Sequence, residues 1–233
     1  MNVVLMLGSA PNALDARDWP RPPFDIILSI NNAHLIRPDW DYHISPWDFP
    51  ADRRPTSGPR QKTILQDQFV PAQNSYGGFV YAGGTMAFTA AYWALHALRP
   101  RVLAVLGCDM SYPPTGRTHF YGTGTADPLR PDITLRSLEA KSARLEALAA
   151  LQGCAMVNLS TLPSRLIFPR ATPQTAATAY PRAPDPHALA AAQDRETALN
   201  YLTASGRYWE EADRFDPKEI DTLDAFWRAC YPA

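Results

Sequence analysis

The fold is decided by the stretch Val102-Leu103-Ala104-Val105-Leu106-Gly107-Cys108-Asp109. Its pattern predicts a strand with no polar face, followed by a glycine turn and a carboxylate. Five consecutive apolar residues are typical of a strand that is buried on both faces in a parallel sheet. Open α/β sheets bind their ligands outside the carboxyl ends of such strands. The sequence therefore predicts an α/β fold with a site just after Gly107.

Short apolar runs alternate with helical stretches on either side of this strand, which is the pattern of βα units around a mainly parallel sheet. We predict a Rossmann-like fold, with helices on both faces of the sheet and a C-terminal helical extension. The predicted strands are 2–7, 25–30, 41–45, 62–66, 78–82, 102–107 and 154–159, and the predicted helices are 12–17, 84–98, 132–151, 187–204 and 217–230.

The chain divides into three predicted segments. Residues 1–169 form the Rossmann-like domain, which is expected to bind a nucleotide and carry any catalysis. Residues 170–186 are rich in Pro, Ala and Thr, which favours a linker or an extended surface segment. Residues 187–233 form the helical extension, whose aromatic residues give it something to bury, and its role is left open.

Composition excludes several function classes. The net charge of −1 and the dispersed 22 basic residues argue against nucleic acid as a partner. The cysteines Cys108, Cys154 and Cys230 lie far apart, so neither a disulfide framework nor a zinc site is expected, and a reducing, cytoplasmic location fits best. The first residues lack the basic region of a signal peptide and are too short an apolar run for a transmembrane segment. The metal-binding motif HExxH is absent from the sequence, and we expect no cofactor and no metal.

Three turns at predicted strand ends are candidate binding sites. Gly8 and Ser9 follow the first strand, where free amides favour an anion, although an ordinary βα turn explains them equally well. The Asn31 side chain suits a base or a ribose, or else caps the loop. Gly83-Gly84-Thr85 opens a helix, and its glycines would let a phosphate or ribose approach the backbone.

The segment 110–131 is the candidate catalytic loop. It carries Tyr112, His119 and Tyr121 among glycines and prolines, and we expect it to close over the substrate as a lid. An imidazole can serve as general base near neutral pH, while tyrosine hydroxyls can donate to a departing phosphate. A purely structural role for His119 remains the alternative. Asp109 suits a ribose hydroxyl, or it caps the loop.

The order of these motifs resembles the bacterial sialyltransferases of glycosyltransferase family 42 and, more distantly, the 6-hydroxymethylpterin diphosphokinase-like group. The sialyltransferases have G-N-G-P-S after the first strand, Asn after the second, N-P after the third, T-S-G before a helix, S-G-I-D-x-Y after the next strand and S-H-Y-x-G-H in a lid. The matching segments here are Gly8 to Asn12, Asn31, Ser45-Pro46, Ala82 to Gly84, Leu106 to Asp109 with Tyr112, and Thr118 to Thr123.

The resemblance implies a metal-independent transferase that uses a nucleotide-sugar donor, with a CMP-linked acidic sugar as the first candidate, and a glycan or small-molecule acceptor. Gly8, Ser9, Asn31, Ser45, Gly83 and Gly84 would then line the nucleotide pocket. His119 matches the first histidine of the lid motif, whereas Thr123 stands where the family has its catalytic histidine. The alternatives are a non-catalytic nucleotide- or glycan-binding domain and a diphosphotransferase acting on a small heterocyclic alcohol. The oligomeric state stays open.

Overall fold

The computed structural model describes residues 2–232 and shows an α/β fold built on one six-stranded, all-parallel sheet, which confirms the predicted fold class. The strand order is β4-β3-β2-β1-β5-β6. Six of the seven predicted strands are present to within two residues at each end. The strands are β1 (Val3–Leu7), β2 (Ile26–Ile30), β3 (Tyr42–Ile44), β4 (Lys62–Ile64), β5 (Val102–Leu106) and β6 (Ala155–Asn158).

The α-helices and the 3₁₀ helices complete the fold. The α-helices are α1 (Gln66–Asn74), α2 (Phe79–Ala82), α3 (Met86–Ala97), α4 (Leu138–Leu151), α5 (Pro173–Ala176), α6 (Pro186–Leu199) and α7 (Pro217–Ala229). The 3₁₀ helices are Pro11–Arg17, Asn31–Leu35, Ala51–Arg53, Asp127–Leu129, Ile133–Leu135 and Tyr208–Arg214.

The two faces of the sheet are covered differently. The longer helices α1, α3 and α4 supply residues such as Phe88 and Leu145 to one core, against strand side chains such as Leu103. The other face is covered by the 3₁₀ helix Pro11–Arg17, by Asn31–Leu35 and by α5. All five side chains of β5 are buried, which is why this strand lacks a polar face.

The C-terminal helices pack on α4 rather than extending the sheet. Trp227 of α7 and Ile220 are buried in a third apolar cluster, which also contains residues of α2 and α4. Two buried ion pairs cross this interface: Lys141 Nζ lies 2.8 Å from Asp224 Oδ1, and Arg144 Nε lies 2.6 Å from Glu196 Oε1. The extension is therefore joined to the sheet domain by buried apolar and charged contacts.

Several predicted elements are wrong in detail. The apolar run 78–82 is not a strand, because it forms α2 between two glycines with positive φ, Gly78 at +85° and Gly83 at +93°. The predicted helix 132–151 is interrupted, since the Ser137 side chain accepts a hydrogen bond from the Ala140 amide and starts α4 only at Leu138.

Three further differences concern an unpredicted helix, the predicted linker and the end of a predicted helix. Helix α1 was not predicted, because Gln66–Asn74 is mostly polar and contains Pro71. Within 170–186, Pro173–Ala176 forms a short helix whose Ala176 side chain is fully buried, so part of this segment is packed. Helix α6 ends five residues earlier than expected, where Asn200 takes a left-handed conformation at φ +49°.

Among residues 2–232, no helix has the length and apolar character needed to cross a bilayer.

Candidate active site

One large cleft, of about 1330 Å³, lies at the carboxyl edge of the sheet. β1 pairs with β2 on one side and with β5 on the other, so the chain leaves β1 and β5 in opposite directions at this point. Such a switch in strand order opens the crevice in which α/β proteins bind ligands. Eight of the sequence-predicted residues line it: Gly8, Ser9, Asn31, Gly84, Thr85, Tyr112, His119 and Tyr121.

The turn after β1 packs directly against the turn after β5. A Cβ on Gly8 would lie 2.3 Å from the Gly107 carbonyl oxygen, so no larger residue fits there. The Gly8 amide donates to Leu106 O and the Ala10 amide to Gly107 O, at 2.8 and 2.9 Å. These amides hold the two turns together, so they do not act as the free anion donors that the sequence suggested.

The turn after β2 has a strained and incompletely paired asparagine. Asn31 has φ +52°, and its carbonyl oxygen accepts from His43 Nε2 and from His34 Nδ1, each at 2.9 Å. Its side-chain Oδ1 is buried and has no partner among the described residues, as is the case for the Ser45 hydroxyl below it. Ser45 itself is fully buried and does not line the cleft, whereas the following Pro46 does.

His43 lies next to these orphaned groups and is completely buried. Burial lowers its pKa to about 4, which outweighs the hydrogen bond to the Asn31 carbonyl. The ring is therefore neutral at pH 7. Because Nε2–H donates to Asn31, Nδ1 carries the lone pair, and Nδ1 has no partner among residues 2–232.

The Gly83-Gly84-Thr85 turn enters α3 beside the cleft, but its glycines act differently from the prediction. The Gly84 amide already donates to Thr134 Oγ1 at 2.9 Å. Gly83 does not line the cleft, and its φ of +93° accounts for the glycine. Thr85 caps α3, and the first helical residues Met86 and Ala87 line the cleft. The amino end of α3, rather than Gly84 itself, is thus available to an anion.

Asp109 is buried away from the cleft and acts as a connector. Its Oδ2 accepts from Ser160 Oγ at 2.8 Å and from Asn12 Nδ2 at 3.2 Å. These contacts tie the end of β5 to the turn after β1 and to the end of β6. The geometry favours the loop-capping alternative for Asp109 over a ribose contact.

The candidate catalytic loop, 110–131, brings its three predicted residues together. The His119 ring stacks on Tyr121, with centroids 5.0 Å apart, and lies 6.0 Å from the Tyr112 ring. The Phe120 amide donates to the Ser9 carbonyl at 2.9 Å, which fixes the middle of the loop to the turn after β1. The loop is therefore hydrogen-bonded to the turn that contributes Ser9 to the cleft. The mobility of the whole 110–131 segment stays a prediction.

The Thr118 hydroxyl lies between His119 and Gly124. Its Oγ1 accepts from the Gly124 amide at 2.8 Å, and it lies 3.1 Å from the Gly124 carbonyl oxygen and 2.8 Å from His119 Nδ1. A hydroxyl has one proton, so when Thr118 donates to the Gly124 carbonyl, His119 Nδ1–H donates to Oγ1 and the lone pair lies on Nε2, the atom that a general base needs. When Thr118 donates to Nδ1 instead, the ring proton lies on Nε2.

Burial shifts the pKa values of His119 and Tyr112 in opposite directions. It lowers the pKa of His119, opposed only by the nearby Asp127 carboxylate, so the imidazole is neutral at pH 7 and able to accept a proton. Burial also raises the pKa of Tyr112, so its hydroxyl stays protonated and can donate. A neutral base and a phenol donor thus line the same cleft.

Sequence reasoning missed the residues that long-range packing brings to the cleft. Arg130 donates to the Gly84 carbonyl at 3.0 Å and pairs with Asp132, whose carboxylate also accepts from the Tyr208 hydroxyl at 2.8 Å. Trp47 and Trp209 also line the cleft. Arg53 lines the cleft too.

No group of three or more His, Cys, Asp or Glu side chains that could hold a metal ion occurs within residues 2–232. No family model, curated protein or solved structure matches this chain. The resemblance to family 42 therefore rests on the motifs quoted above.

Proposed function

We propose that the protein is a metal-independent glycosyltransferase that takes a nucleotide-sugar donor, with a CMP-linked acidic sugar as the first candidate. The observation that carries the proposal is His119: its Nδ1 lies 2.8 Å from the Thr118 hydroxyl, and its ring lies beside Tyr112 in the main cleft. A neutral imidazole that donates from Nδ1 to Thr118 is suited to take a proton at Nε2 from an acceptor hydroxyl.

The proposed reaction is a single in-line displacement with inversion. The acceptor oxygen forms a bond to the anomeric carbon, while the bond from that carbon to the phosphate oxygen breaks and leaves its electron pair on CMP. His119 Nε2 takes the acceptor proton. The hydroxyls of Tyr112 and Tyr121 donate to the leaving phosphate, where negative charge develops.

The nucleotide would occupy the inner part of the cleft. The amino end of α3 at Met86 and Ala87 favours the phosphate, and the cationic Arg130 lies next to Gly84 at the same end. The unpartnered Oδ1 of Asn31 is an acceptor that a base amino group could satisfy. These contacts support a nucleotide, and the choice of cytosine comes from the family resemblance.

A second candidate, a nucleotide- or glycan-binding domain without catalysis, is favoured by one observation. Thr123 stands at the position of the family's catalytic histidine, and its hydroxyl is committed to the Gly116 carbonyl at 3.0 Å. A hydroxyl cannot act as a base near neutral pH without a base of its own.

A thermal-shift panel of CMP, UMP, AMP, GMP and ATP with Mg²⁺ tests the nucleotide assignment. A ligand at a hundredfold its Kd stabilises by about 2.7 kcal/mol, which is readily measured as a melting shift. We expect CMP to stabilise selectively and to do so in EDTA. Stabilisation by ATP with Mg²⁺ alone, or by no nucleotide, would contradict the proposal.

A further inference from the structure

Three aromatic side chains that line the cleft are exposed to solvent at its mouth. The exposed fractions are 67% for Trp47, 57% for Trp209 and 46% for Tyr121. Tryptophan is highly buried on average, and scattered exposed aromatics need no explanation, but three of them on one concave surface do. Ligand sites are built from such concave aromatic surfaces.

Trp209 is held in place by its own neighbours in the C-terminal extension. The Tyr208 ring meets it edge-on, with centroids 5.4 Å apart, and the Tyr208 hydroxyl donates to Asp132 at 2.8 Å. The Tyr208 ring is itself stacked on Phe79, with centroids 6.4 Å apart. A ring fixed before the ligand arrives loses little conformational entropy on binding.

The charges around the exposed rings point to a ligand with an apolar face and hydroxyl edges. Asp48 follows Trp47 and lines the cleft, while Arg207 precedes Tyr208 and pairs with Glu210 at 3.4 Å. Carboxylates accept from hydroxyls and guanidinium groups donate to them. The C–H face of a pyranose ring matches the electron-rich face of an indole, and its hydroxyls match these polar neighbours.

A membrane surface fits this mouth less well than a sugar does. The indoles alone would suit the headgroup region of a bilayer, where tryptophan is enriched. However, the carboxylates of Asp48 and Glu210 beside them would be repelled by anionic lipid. The mixed charges also give no preference for a strongly charged macromolecule.

We propose that the outer part of the cleft is the acceptor subsite and that it binds a saccharide, whose sugar units stack on Trp209 of the C-terminal extension and on Trp47. This inference rests on the proposed function for the word acceptor, whereas saccharide binding itself can be measured without transfer. It also gives the extension a role, because the subsite is incomplete without it.

Ligand-observed NMR with lactose, maltose and chitobiose as probes tests the subsite. We expect at least one disaccharide to bind the wild type, and Trp47→Ala and Trp209→Ala each to weaken it about tenfold through loss of stacking. Tyr180→Ala is the matched control, since Tyr180 is 87% exposed and lies outside the cleft; we expect it to bind as the wild type does. Binding of no probe, or equal binding by both tryptophan variants, would overturn the proposal.

The melting shift caused by CMP, measured on the same samples, separates the two claims. Loss of disaccharide binding with an intact CMP shift confirms the subsite, because it also shows that the variants are folded. Disaccharide binding without any CMP shift in the wild type would refute the proposed function and with it the acceptor role. Co-sedimentation with phosphatidylcholine–phosphatidylserine vesicles that depends on Trp47 and Trp209 would overturn the saccharide assignment in favour of a membrane.

Discussion

The guanidinium of Arg144 and the polar side chains at the ends of β2 and β3 are all buried, but they differ in how completely they are paired. At the interface of α4, α6 and α7, Arg144 is paired with Glu196, with the Tyr92 hydroxyl and with the Tyr76 carbonyl. At the ends of β2 and β3, Asn31 Oδ1 and Ser45 Oγ are buried without partners among the described residues. An unpaired buried polar group destabilises a fold by about 1–3 kcal/mol, and Asn31 is the one of these two residues that lines the cleft, where a ligand can satisfy it.

We infer that Arg144 holds the structure together, whereas the side chain of Asn31 awaits a ligand. If this is correct, loss of Arg144 lowers stability and spares binding, whereas loss of the Asn31 side chain lowers binding and spares stability. The predictions below test groups from both regions.

The largest effect is expected for Arg144→Met. Removing one partner of a buried pair leaves Glu196 charged and unpaired, which costs about 3–5 kcal/mol. Arg136→Met is the control, because Arg136 forms a solvent-exposed pair with Asp221 that contributes about 0–1 kcal/mol. Urea unfolding measures both. Equal losses in the two variants would remove the structural role assigned to Arg144.

His43→Gln should change how stability depends on pH. The folded pKa of about 4 lies below the ordinary 6.5, so the neutral ring contributes stability above pH 6.5 that is lost as pH falls towards 4. The loss amounts to about 3 kcal/mol at 1.36 kcal/mol per pKa unit. Glutamine can still donate to the Asn31 carbonyl but does not titrate.

We therefore expect the unfolding free energies of wild type and His43→Gln, measured between pH 7 and 4, to converge as the pH falls. Curves that stay parallel across this range would show that the pKa of His43 is the same in the folded and the unfolded chain.

Asn31→Gly should weaken CMP binding about tenfold, since a hydrogen bond to a buried acceptor contributes about 1–3 kcal/mol. Glycine tolerates the φ of +52°, so we expect the free energy of unfolding to change little. Asn200→Gly is a matched control: Asn200 has φ +49° at the end of α6 and lies outside the cleft. Calorimetric titration with CMP should distinguish them, and equal affinities would exclude Asn31 from the nucleotide site.

The smallest effect is expected for Ser45→Ala, which should leave stability unchanged or raise it by less than about 1 kcal/mol, because it removes an unpaired hydroxyl. Thr134→Ser keeps, and Thr134→Val removes, a hydroxyl that donates to Asp132 and accepts from the Gly84 amide. Only Thr134→Val should lose about 1–3 kcal/mol in urea unfolding. A comparable loss in Ser45→Ala would mean that its hydroxyl is paired after all.

The sheet was predictable because local pattern determines it. β1 and β5 are continuous apolar runs, which is the usual pattern of parallel strands that are buried on both faces. The run 78–82 was misread because four or five apolar residues fit a buried helix as well as a strand, and only the positive φ of Gly78 and Gly83 decides between them.

The part of the site that was predictable lies at strand ends, at the start of α3 and in the loop after β5, where short motifs mark it in the sequence. Ser9 and Asn31 line the cleft because their strands end there. Trp209 and Arg130 reach it through contacts with residues far along the chain, such as Arg130 with Gly84 and Tyr208 with Asp132. Packing of this kind leaves no periodic signal in the sequence. The same reason explains Asp109, whose partners Asn12 and Ser160 are set by tertiary structure.

The central claim, that His119 is the base of a metal-independent glycosyl transfer, is tested most directly by the rate of CMP release from CMP-N-acetylneuraminic acid. The rate is measured in EDTA for the wild type and for His119→Asn, and the disaccharide probes serve as acceptors. Asparagine can still donate to Thr118 but cannot accept the proton, so we predict release by the wild type and a loss of about 10²- to 10⁴-fold in the variant, with an unchanged Kd for CMP. Release that is equal in the two proteins, or a wild type that binds CMP and releases none from the donor, would contradict the account.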